Sequence, residues 1–572
     1  MKIYKYNWLI IGLIGLFMLT NCSEDNLVRP PEDALTDVDF YKTNEEVLAA
    51  TAPLYSRMWF DYNDKASYSI GDLRSGIMMA PWNSREFGAF NANGDNSEVI
   101  AGWNAFFTVV QQSNLAIRNI NTYATEAVSD DIKKMAIAEA RFMRACAYRN
   151  LVLAWGPVPI ITDNIEIMNS TDIRRNTATS IWRFLTSEMR SIAEDLPDQP
   201  YATGRITRYS AEGMLARFYL SRAGAEAVGG ERNQMYLDSA KYYAQHVIEN
   251  SGKSLMEDYR SLFLFPYDNN NESLFELQWV YSNAWGPSNS APAYLAYSSD
   301  IGNGDGWGGA YGASWYVISQ YEGINPIGTT GDTIKGATLD TRLYNTFMLP
   351  GAHYPEITQD YTTDDGTVGQ RECIYPNNTS DASFACTKKY IVGKAVDVGG
   401  EASSQHYPNN TYMLRLAELY LIYAEATLGN NEQSSDATAL DYVNTIRRRA
   451  GLNNLANDAG TGDRSYFTAD DIFKERTLEF AMESMFMYDL SNIFYYDKAR
   501  ALSILNNQDR GLFAIYPDVF PDPNSWTFVK TSWHTERSIN ATEGNFYLPI
   551  PTADLGGMPS LSEDPVDYYS SN

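Results

Sequence analysis

The sequence predicts a mostly α-helical protein that is interrupted by a loop-rich lobe. Apolar residues recur at steps of three and four up to about residue 251 and again beyond residue 411, as expected for helices that pack on one face. The intervening residues 252–411 are rich in Gly, Asn, Ser, Thr and Tyr and contain only short strand-like runs. With 572 residues, of which 13% are aromatic, the chain can bury a large core.

The N-terminal residues predict export and a lipid anchor. Two lysines precede an apolar run that ends at Leu19, and Cys22 follows in the lipobox-like string Leu19-Thr20-Asn21-Cys22. The apolar run is typical of a signal peptide and is too short to span a bilayer. We therefore interpret residues 1–21 as a lipoprotein signal peptide, Cys22 as the lipidated residue and 22–40 as a tether. Plain secretion without a lipid is the alternative.

The first predicted helical region covers residues 41–251. Its most informative segment is 138–162, where small and apolar side chains share one face of a helix that ends at Gly156-Pro157 and is followed by a short extended run. The helices pair into hairpins of about the length of a tetratricopeptide unit, although no strict repeat consensus is visible. This length, together with the resemblance described below, predicts a tetratricopeptide-like helical-repeat scaffold. The predicted helices are 44–59, 98–121, 130–155, 178–196, 206–226 and 233–250.

The loop-rich lobe, residues 252–411, is the predicted ligand-binding region. Its glycine-rich stretch 302–312 lacks the lysine and the strand–helix context of a phosphate-binding loop. We interpret this stretch as a loop that presents Trp307 and Tyr311, with Trp285 in an earlier loop. Some aromatic rings of the lobe are expected to form its core instead. Further aromatic residues nearby are Tyr294, Tyr297 and Trp315.

A second helical region, 412–495, is followed by a tail, 496–572, that we predict to be irregular and to pack on the scaffold. Glu418 and Glu425 lie two helical turns apart, and paired carboxylates are what glycoside hydrolysis uses. Their helix is apolar nearly all round, so both need hydrogen-bonded partners and a structural ion-pair network is the better interpretation. The candidate cationic partners are Arg415, Arg447, Arg448, Arg449 and Arg476. The predicted helices are 412–428, 436–450 and 468–490.

Composition argues against several classes of function. A net charge of −27 disfavours nucleic acid and anionic membrane surfaces as partners. The four histidines have no metal-ligand spacing, and we predict no metal site, no cofactor and no catalytic residue. The run 268–272 offers oxygen ligands for calcium but lacks the spacing of a calcium loop, which favours a polar turn. Cys373 and Cys386 form either a disulfide or two free thiols.

Four stretches, in order, resemble the SusD/RagB family of outer-membrane lipoproteins. The first contains the string AEARFMRACAYRNLVLAWGPVPIIT, and the second begins with Gly204-Arg205-Ile206-Thr207. The sequence departs from the family pattern at Ser484 and Phe486, where the family usually has Gly and Arg. The stretches are 138–162, 204–221, 412–426 with 442–452, and 472–490 with 547–551.

The resemblance implies a protein without catalysis that binds oligosaccharide on the outer face of the outer membrane. It also implies delivery of that glycan to a SusC-like, TonB-dependent barrel transporter. A scaffold of the same family that binds peptide or protein is the alternative, and a glycosidase is a second one. By region, the resemblance implies ligand contacts from both halves. They are Asp72, Arg74, Trp82 and Asn83 from the helical side, and Trp285, Trp307 and Tyr311 from the lobe.

Overall fold

The structure is a computed structural model, and helices dominate it. It describes residues 40–80, 84–168, 170, 172–306, 311–324, 329, 331–377, 385–531 and 538–569. The predicted signal peptide and Cys22 lie outside these residues. The described α-helices are α1 Asn44–Thr51, α2 Arg85–Gly88, α3 Ser97–Tyr123, α4 Asp130–Trp155, α5 Asn164–Met168, α6 Ala178–Ile192, α7 Arg208–Ala225, α8 Gln234–Asn250, α9 Ala291–Leu295, α10 Trp315–Ile318, α11 Arg342–Thr346, α12 Leu416–Leu428, α13 Ala437–Arg449, α14 Ala469–Glu479, α15 Phe486–Tyr496, α16 Lys498–Asn506 and α17 Thr552–Gly557.

The strands are short and pair antiparallel in several small sheets. The largest described sheet has the order β1-β3-β8-β5, and a three-stranded sheet has the order β12-β13-β4. Strand β2 pairs with β9, and β6 pairs with β7 in a hairpin. The strands are β1 Met78–Met79, β2 Ser273–Leu277, β3 Gly312–Ala313, β4 Thr333–Gly336, β5 Phe347–Met348, β6 His353–Thr362, β7 Val368–Ile374, β8 Cys386–Thr387, β9 Thr411–Arg415, β10 Gln433–Ser434, β11 Phe467–Thr468, β12 Phe513–Pro517 and β13 Trp526–Lys530.

Paired helices form the scaffold, which confirms the predicted helical-repeat fold. Helix α3 packs on α4 and α7 packs on α8, while α12, from the second helical region, packs on α8. Side chains at the helix starts satisfy free backbone N–H groups: Asn96 caps α3, Ser129 caps α4 and Thr207 caps α7. Among the described helices, none has both the length and the apolar content that crossing a bilayer requires.

Helix α4 ends where the sequence predicts, and the end is fixed by the C-terminal tail. Gly156 has a φ of 74°, a conformation that favours glycine, and its position faces the ring of Tyr547. Leu548 N donates to Ala154 O at 2.8 Å, and Trp155 Nε1 donates to Pro549 O at 3.0 Å. The tail therefore packs on the scaffold through the stretch 547–551 that carries part of the family resemblance.

Three predicted elements differ from the structure. The predicted helix 468–490 is broken between α14 and α15, because Met482 and Ser484 adopt positive φ and Ser484 lies against the backbone of Gly71. Residues 411–415 form β9 instead of the first turn of a helix, since they pair with β2. The tail 496–572 is more regular than predicted, because it contains α16 and a hairpin whose strand β13 pairs with β4 of the lobe.

Buried ion pairs join the two helical regions. Glu418 in α12 bonds to Arg217 in α7 and, at 3.3 Å, to Arg476 in α14, and Arg232 Nη1 lies 2.8 Å from Glu425 Oε1. Burial by itself would raise the pKa of the Glu418 carboxyl, but Arg217 and Arg476 outweigh burial and lower it to about 2. The structural interpretation of this carboxylate pair is confirmed, although two of its partners, Arg217 and Arg232, were not predicted.

A second buried cluster of ion pairs lies where the lobe leaves the scaffold. Arg415, the last residue of β9, bonds to Glu272 at 2.6 Å and to Glu479 at 2.9 Å. Arg449 bonds to Glu272 at 3.0 Å, and Arg342 bonds to Glu475 at 2.9 Å. The cluster therefore ties both ends of the lobe to helices α13 and α14.

The cysteine pair is reduced in the structure. Cys373 in β7 and Cys386 in β8 are both buried free thiols, so the candidate disulfide is not formed. Each cysteine lies next to a tyrosine. Cys373 is opposite Tyr354 in the β6–β7 hairpin, and Tyr375 Oη lies 3.0 Å from Cys386 Sγ. Burial raises the pKa of the Cys386 thiol to about 11, which keeps it protonated and unreactive.

Candidate functional site

An irregular helix in residues 57–73 underlies the candidate site. It contains two π-helical turns, Tyr62–Ala66 and Ser69–Leu73, a geometry that is frequent at functional sites. Phe60, Asp64 and Tyr68 follow one another at steps of four and therefore share one face. This face is one of the parts of the scaffold that contact the lobe.

The lobe covers this face with aromatic rings. The ring of Trp285 packs edge-on against Phe60 with a centroid separation of 4.8 Å, and Tyr311 packs against Tyr68 at 5.0 Å. Between these pairs, Lys65 Nζ lies 4.4 Å from the ring centroid of Tyr294. We call these residues the aromatic seam: Phe60, Lys65, Tyr68, Trp285, Tyr294 and Tyr311.

Trp285 is the part of the aromatic seam that offers a ring to solvent. Its side chain is 52% exposed, although it is held edge-on by Phe60 on one side and by His406 at 6.3 Å on another. Exposure of a large ring that is fixed by its neighbours is typical of a binding surface, because little rotamer freedom is lost when a ligand stacks on it. The loop that carries it also exposes Val280 and Tyr281.

Polar groups line the seam beside Trp285. Ser290 Oγ donates to Asp64 Oδ1 at 2.6 Å, which fixes the carboxylate next to Lys65. Burial raises the pKa of the Asp64 carboxyl above its ordinary value. Tyr294 Oη donates to Gln405 Oε1 at 3.3 Å, and the half-buried His406 follows Gln405 in the chain. These groups could bond to the hydroxyls of a sugar.

Strand β1 of the scaffold side pairs antiparallel with β3 of the lobe. Met78 is opposite Ala313 and Met79 is opposite Gly312, so residues 80 and 311 lie at the same end of the pair. Trp82 and Asn83 follow residue 80 in the chain, and Trp307 precedes residue 311. These three predicted ligand residues lie outside the described residues.

Three of the predicted ligand residues, Tyr311, Asp72 and Arg74, are buried. The expectation that they form one ligand site together with the predicted tryptophans is therefore corrected. Tyr311 is 2% exposed because it packs against Tyr68 at the buried end of the aromatic seam. Asp72 is fully buried and accepts a hydrogen bond from Ser484 N at 3.0 Å; burial raises the pKa of its carboxyl to about 8. Arg74 is 3% exposed and belongs to a separate cleft, described below.

The remaining aromatic candidates are buried or half-buried, and the candidate calcium-binding run 268–272 is engaged in ion pairs. Trp315 is fully buried against Phe513, while Tyr297 is half-buried and accepts a hydrogen bond from Gln359. The acidic run 268–272 is a turn whose Glu272 is occupied by Arg415 and Arg449. Within the described part of the chain, no group of three or more His, Cys, Asp or Glu side chains is arranged to hold a metal ion.

Comparison with known proteins decides the family. The SusD family matches residues 271–568, more than half of the chain, and a family described as "Starch-binding associating with outer membrane" matches residues 28–220. A SusD-like protein of Bacteroides ovatus is 34% identical over 582 residues, which cover 99% of each chain. This chain belongs to the SusD family.

Solved structures of SusD-like proteins share the fold. One crystal structure, solved with xylogluco-oligosaccharide, is 33% identical with a TM-score of 0.77 and covers 92% of this chain and 100% of that one. A laminarin-binding SusD-like protein is 19% identical with a TM-score of 0.61, covering 92% of this chain and 100% of that one. The SusD fold therefore extends over nearly the whole of this chain.

Sequence reasoning missed the scaffold side of the aromatic seam. Phe60, Asp64 and Lys65 were not singled out, although the four-residue spacing of Phe60, Asp64 and Tyr68 is visible in the sequence. His406 carried no signal at all, because it comes next to Trp285 only through the pairing of Asn289 with Tyr407.

Proposed function

We propose that this protein is a cell-surface lipoprotein that binds oligosaccharide at the aromatic seam and passes it on unaltered. The observation that carries the proposal is Trp285, a half-exposed ring held rigidly between Phe60 and His406. The similar protein that was solved with xylogluco-oligosaccharide supports a glycan as the ligand.

The physical chemistry of stacking fits weak, reversible capture. A sugar ring has one apolar face of C–H groups, and covering roughly 50 Å² of it contributes ~1–1.5 kcal/mol. Two or three tryptophan platforms would give ~3–4 kcal/mol, near a millimolar dissociation constant before hydrogen bonds add to it. Carboxylate, amide and imidazole groups along the seam then supply direction.

We also propose that the protein has no catalytic activity of its own. The carboxylate pair that would be needed for glycoside hydrolysis is neutralised by arginines, and a Glu418 carboxyl with a pKa of about 2 cannot donate a proton at neutral pH. In this proposal a lipid on Cys22 anchors the protein in the outer membrane, and a SusC-like TonB-dependent barrel receives the glycan.

Isothermal titration calorimetry with xylogluco-oligosaccharide tests the site. Trp285→Ala removes one stacking platform, so we expect the dissociation constant to rise about tenfold, which corresponds to ~1.4 kcal/mol. Tyr242→Ala is the matched control, since Tyr242 is a similarly exposed ring, 61% exposed, on helix α8 of the scaffold. Equal affinity of the wild type and Trp285→Ala would remove Trp285 from the site.

Peptide capture is the alternative function, and the same protein can be tested for it. A peptide library and a glycan library are screened against the soluble domain that lacks residues 1–22. Saturable peptide binding that Trp285→Ala abolishes, without any glycan binding, would favour the alternative. New reducing ends after incubation with polysaccharide would contradict the absence of catalysis.

A further inference from the structure

A second cleft lies away from the aromatic seam, beside the Gly-Pro turn that ends α4. It has a volume of about 660 Å³, within the range of small-molecule sites. Its walls are apolar rings that come from three parts of the chain, and exposed asparagines stand at its rim. The rings belong to Phe90, Trp155, Pro157, Tyr547 and Pro549, and the asparagines are Asn91, Asn93 and Asn545.

The charge of this cleft is opposite to that of the protein. The chain carries 71 acidic and 44 basic residues. Among the eighteen described residues that line the cleft, two are arginines, Arg74 and Arg175, and none is acidic. A concave surface whose charged lining residues are all cations attracts anions. Apolar walls strengthen that attraction because they exclude water.

Arg74 is buried without an anionic partner. Its Nη2 donates to Asn545 O at 3.0 Å and to Phe546 O at 2.6 Å, and the guanidinium lies over the ring of Phe90 at 4.4 Å. The three N–H groups on Nε and Nη1 have no acceptor among the described residues. Burial lowers the pKa of Arg74 to about 9, because no nearby carboxylate offsets the loss of water.

Arg175 is the second cation of the cleft and also retains free donors. Its Nη2 donates to the backbone oxygen of Glu563 at 2.7 Å, whereas the carboxylate of Glu563 pairs with Arg174 at 2.9 Å. Arg175 Nε is buried and has no acceptor within the described part of the chain. Both arginines therefore line one cavity, and each keeps N–H groups that have no acceptor within the described part of the chain.

We propose that this cleft binds an anionic sugar, in which a carboxylate or sulfate group pairs with Arg74 and Arg175. The sugar ring would pack against Tyr547 and the neighbouring apolar wall, and the rim asparagines would bond to its hydroxyls. A planar carboxylate matches the fork of a guanidinium, so bidentate pairing would satisfy the N–H groups that the protein leaves open. The inference deepens the proposed glycan-binding function and rests on it for the class of ligand.

Substitutions at Gly544 test whether the positive charge of the cleft drives ligand binding, and they leave the buried Arg74 unchanged. Gly544 is exposed, lines the cleft and has ordinary φ; the nearest atom to an added Cβ would be Thr542 Oγ1 at 3.8 Å. Gly544→Glu places a competing carboxylate beside the cations, and Gly544→Gln is its neutral control of the same size. The probes are digalacturonate, its dimethyl ester and inorganic sulfate, each titrated by calorimetry at neutral pH.

We expect digalacturonate to bind at least about tenfold more tightly than its ester, since only the acid can form charge-assisted bonds. Gly544→Glu should weaken digalacturonate binding by about tenfold or more, while Gly544→Gln stays within about twofold of the wild type. Arg74→Gln should also lose the binding, with circular dichroism to check that the variant is folded. Higher salt should weaken binding of the acid but not of the ester.

Three results would overturn this inference. They are equal affinity for acid and ester, equal effects of the two Gly544 variants, and digalacturonate binding no tighter than that of sulfate. Binding of xylogluco-oligosaccharide is measured in parallel, because it reports on the aromatic seam and should be unchanged in Gly544→Glu. A wild-type protein that binds this neutral probe but not digalacturonate retains the proposed function and loses only the anionic site.

Discussion

Replacing Glu418 by glutamine tests whether the carboxylate in α12 is a structural ion pair. Its pKa is lowered from 4.5 to about 2, which corresponds to roughly 3 kcal/mol of stability. A group with a lowered folded pKa contributes fully above its unfolded value and loses that contribution as the pH falls through the folded one. The contribution of Glu418 is therefore fully present at pH 7 and falls to roughly 1 kcal/mol at pH 3.

The amide introduced by Glu418→Gln does not titrate, so the difference in stability between the wild type and this variant should depend on pH. We expect the free energy of unfolding of Glu418→Gln to be roughly 3 kcal/mol lower than that of the wild type at pH 7, and this difference to shrink by about 2 kcal/mol at pH 3. Urea denaturation followed by tryptophan fluorescence at both pH values measures it. Glu425→Gln is the control on the same helix, because its pair with Arg232 is more exposed. The reasoning fails if the deficit does not change with pH or if both variants behave alike.

Two further predictions concern backbone strain and the thiols. Ser484→Gly should raise the free energy of unfolding by about 0.5 kcal/mol, because glycine removes the ~1 kcal/mol penalty of a φ of 62° but adds unfolded-state entropy. The control Ser484→Ala should give no gain in the free energy of unfolding. An equal gain in both variants would contradict the strain argument. In the domain that lacks residues 1–22, Ellman's reagent should find no reactive thiol among Cys146, Cys373 and Cys386 in the native state and all three after unfolding without reductant, because all are buried and free. A single thiol after unfolding would show that Cys373 and Cys386 are bonded.

Local sequence patterns predicted the helices well, since their causes are local. The stop of α4 at Gly156 lies where the pattern placed it, and α7 begins at Arg208, two residues after its predicted start at residue 206. The break between α14 and α15 could not be read in this way. It depends on Ser484 meeting Gly71 and Asp72, more than four hundred residues earlier in the chain.

The candidate site was predictable only in part, because exposure is a property of the fold. Sequence singled out Trp285 and Tyr311 on equal terms, yet the first is half-exposed and the second is buried. Arg74 was chosen for its charge and its region, and neither could reveal that its acceptors would be backbone oxygens of residues 545 and 546. The ligand roles of Trp82, Asn83 and Trp307 stay predictions.

The lobe is fastened to the scaffold at more than one place, and this has a mechanical consequence. Strands β2 and β9 pair with each other at the base of the lobe, beside the buried cluster around Arg415. Strand β4 of the lobe pairs with β13 of the tail. Bending the lobe would separate charges from their partners inside the protein, at a cost of several kcal/mol. The lobe and the scaffold should therefore move together as one rigid body. In the proposed function, capture and release of a glycan would then depend on movement of the whole protein and not on bending between its two parts.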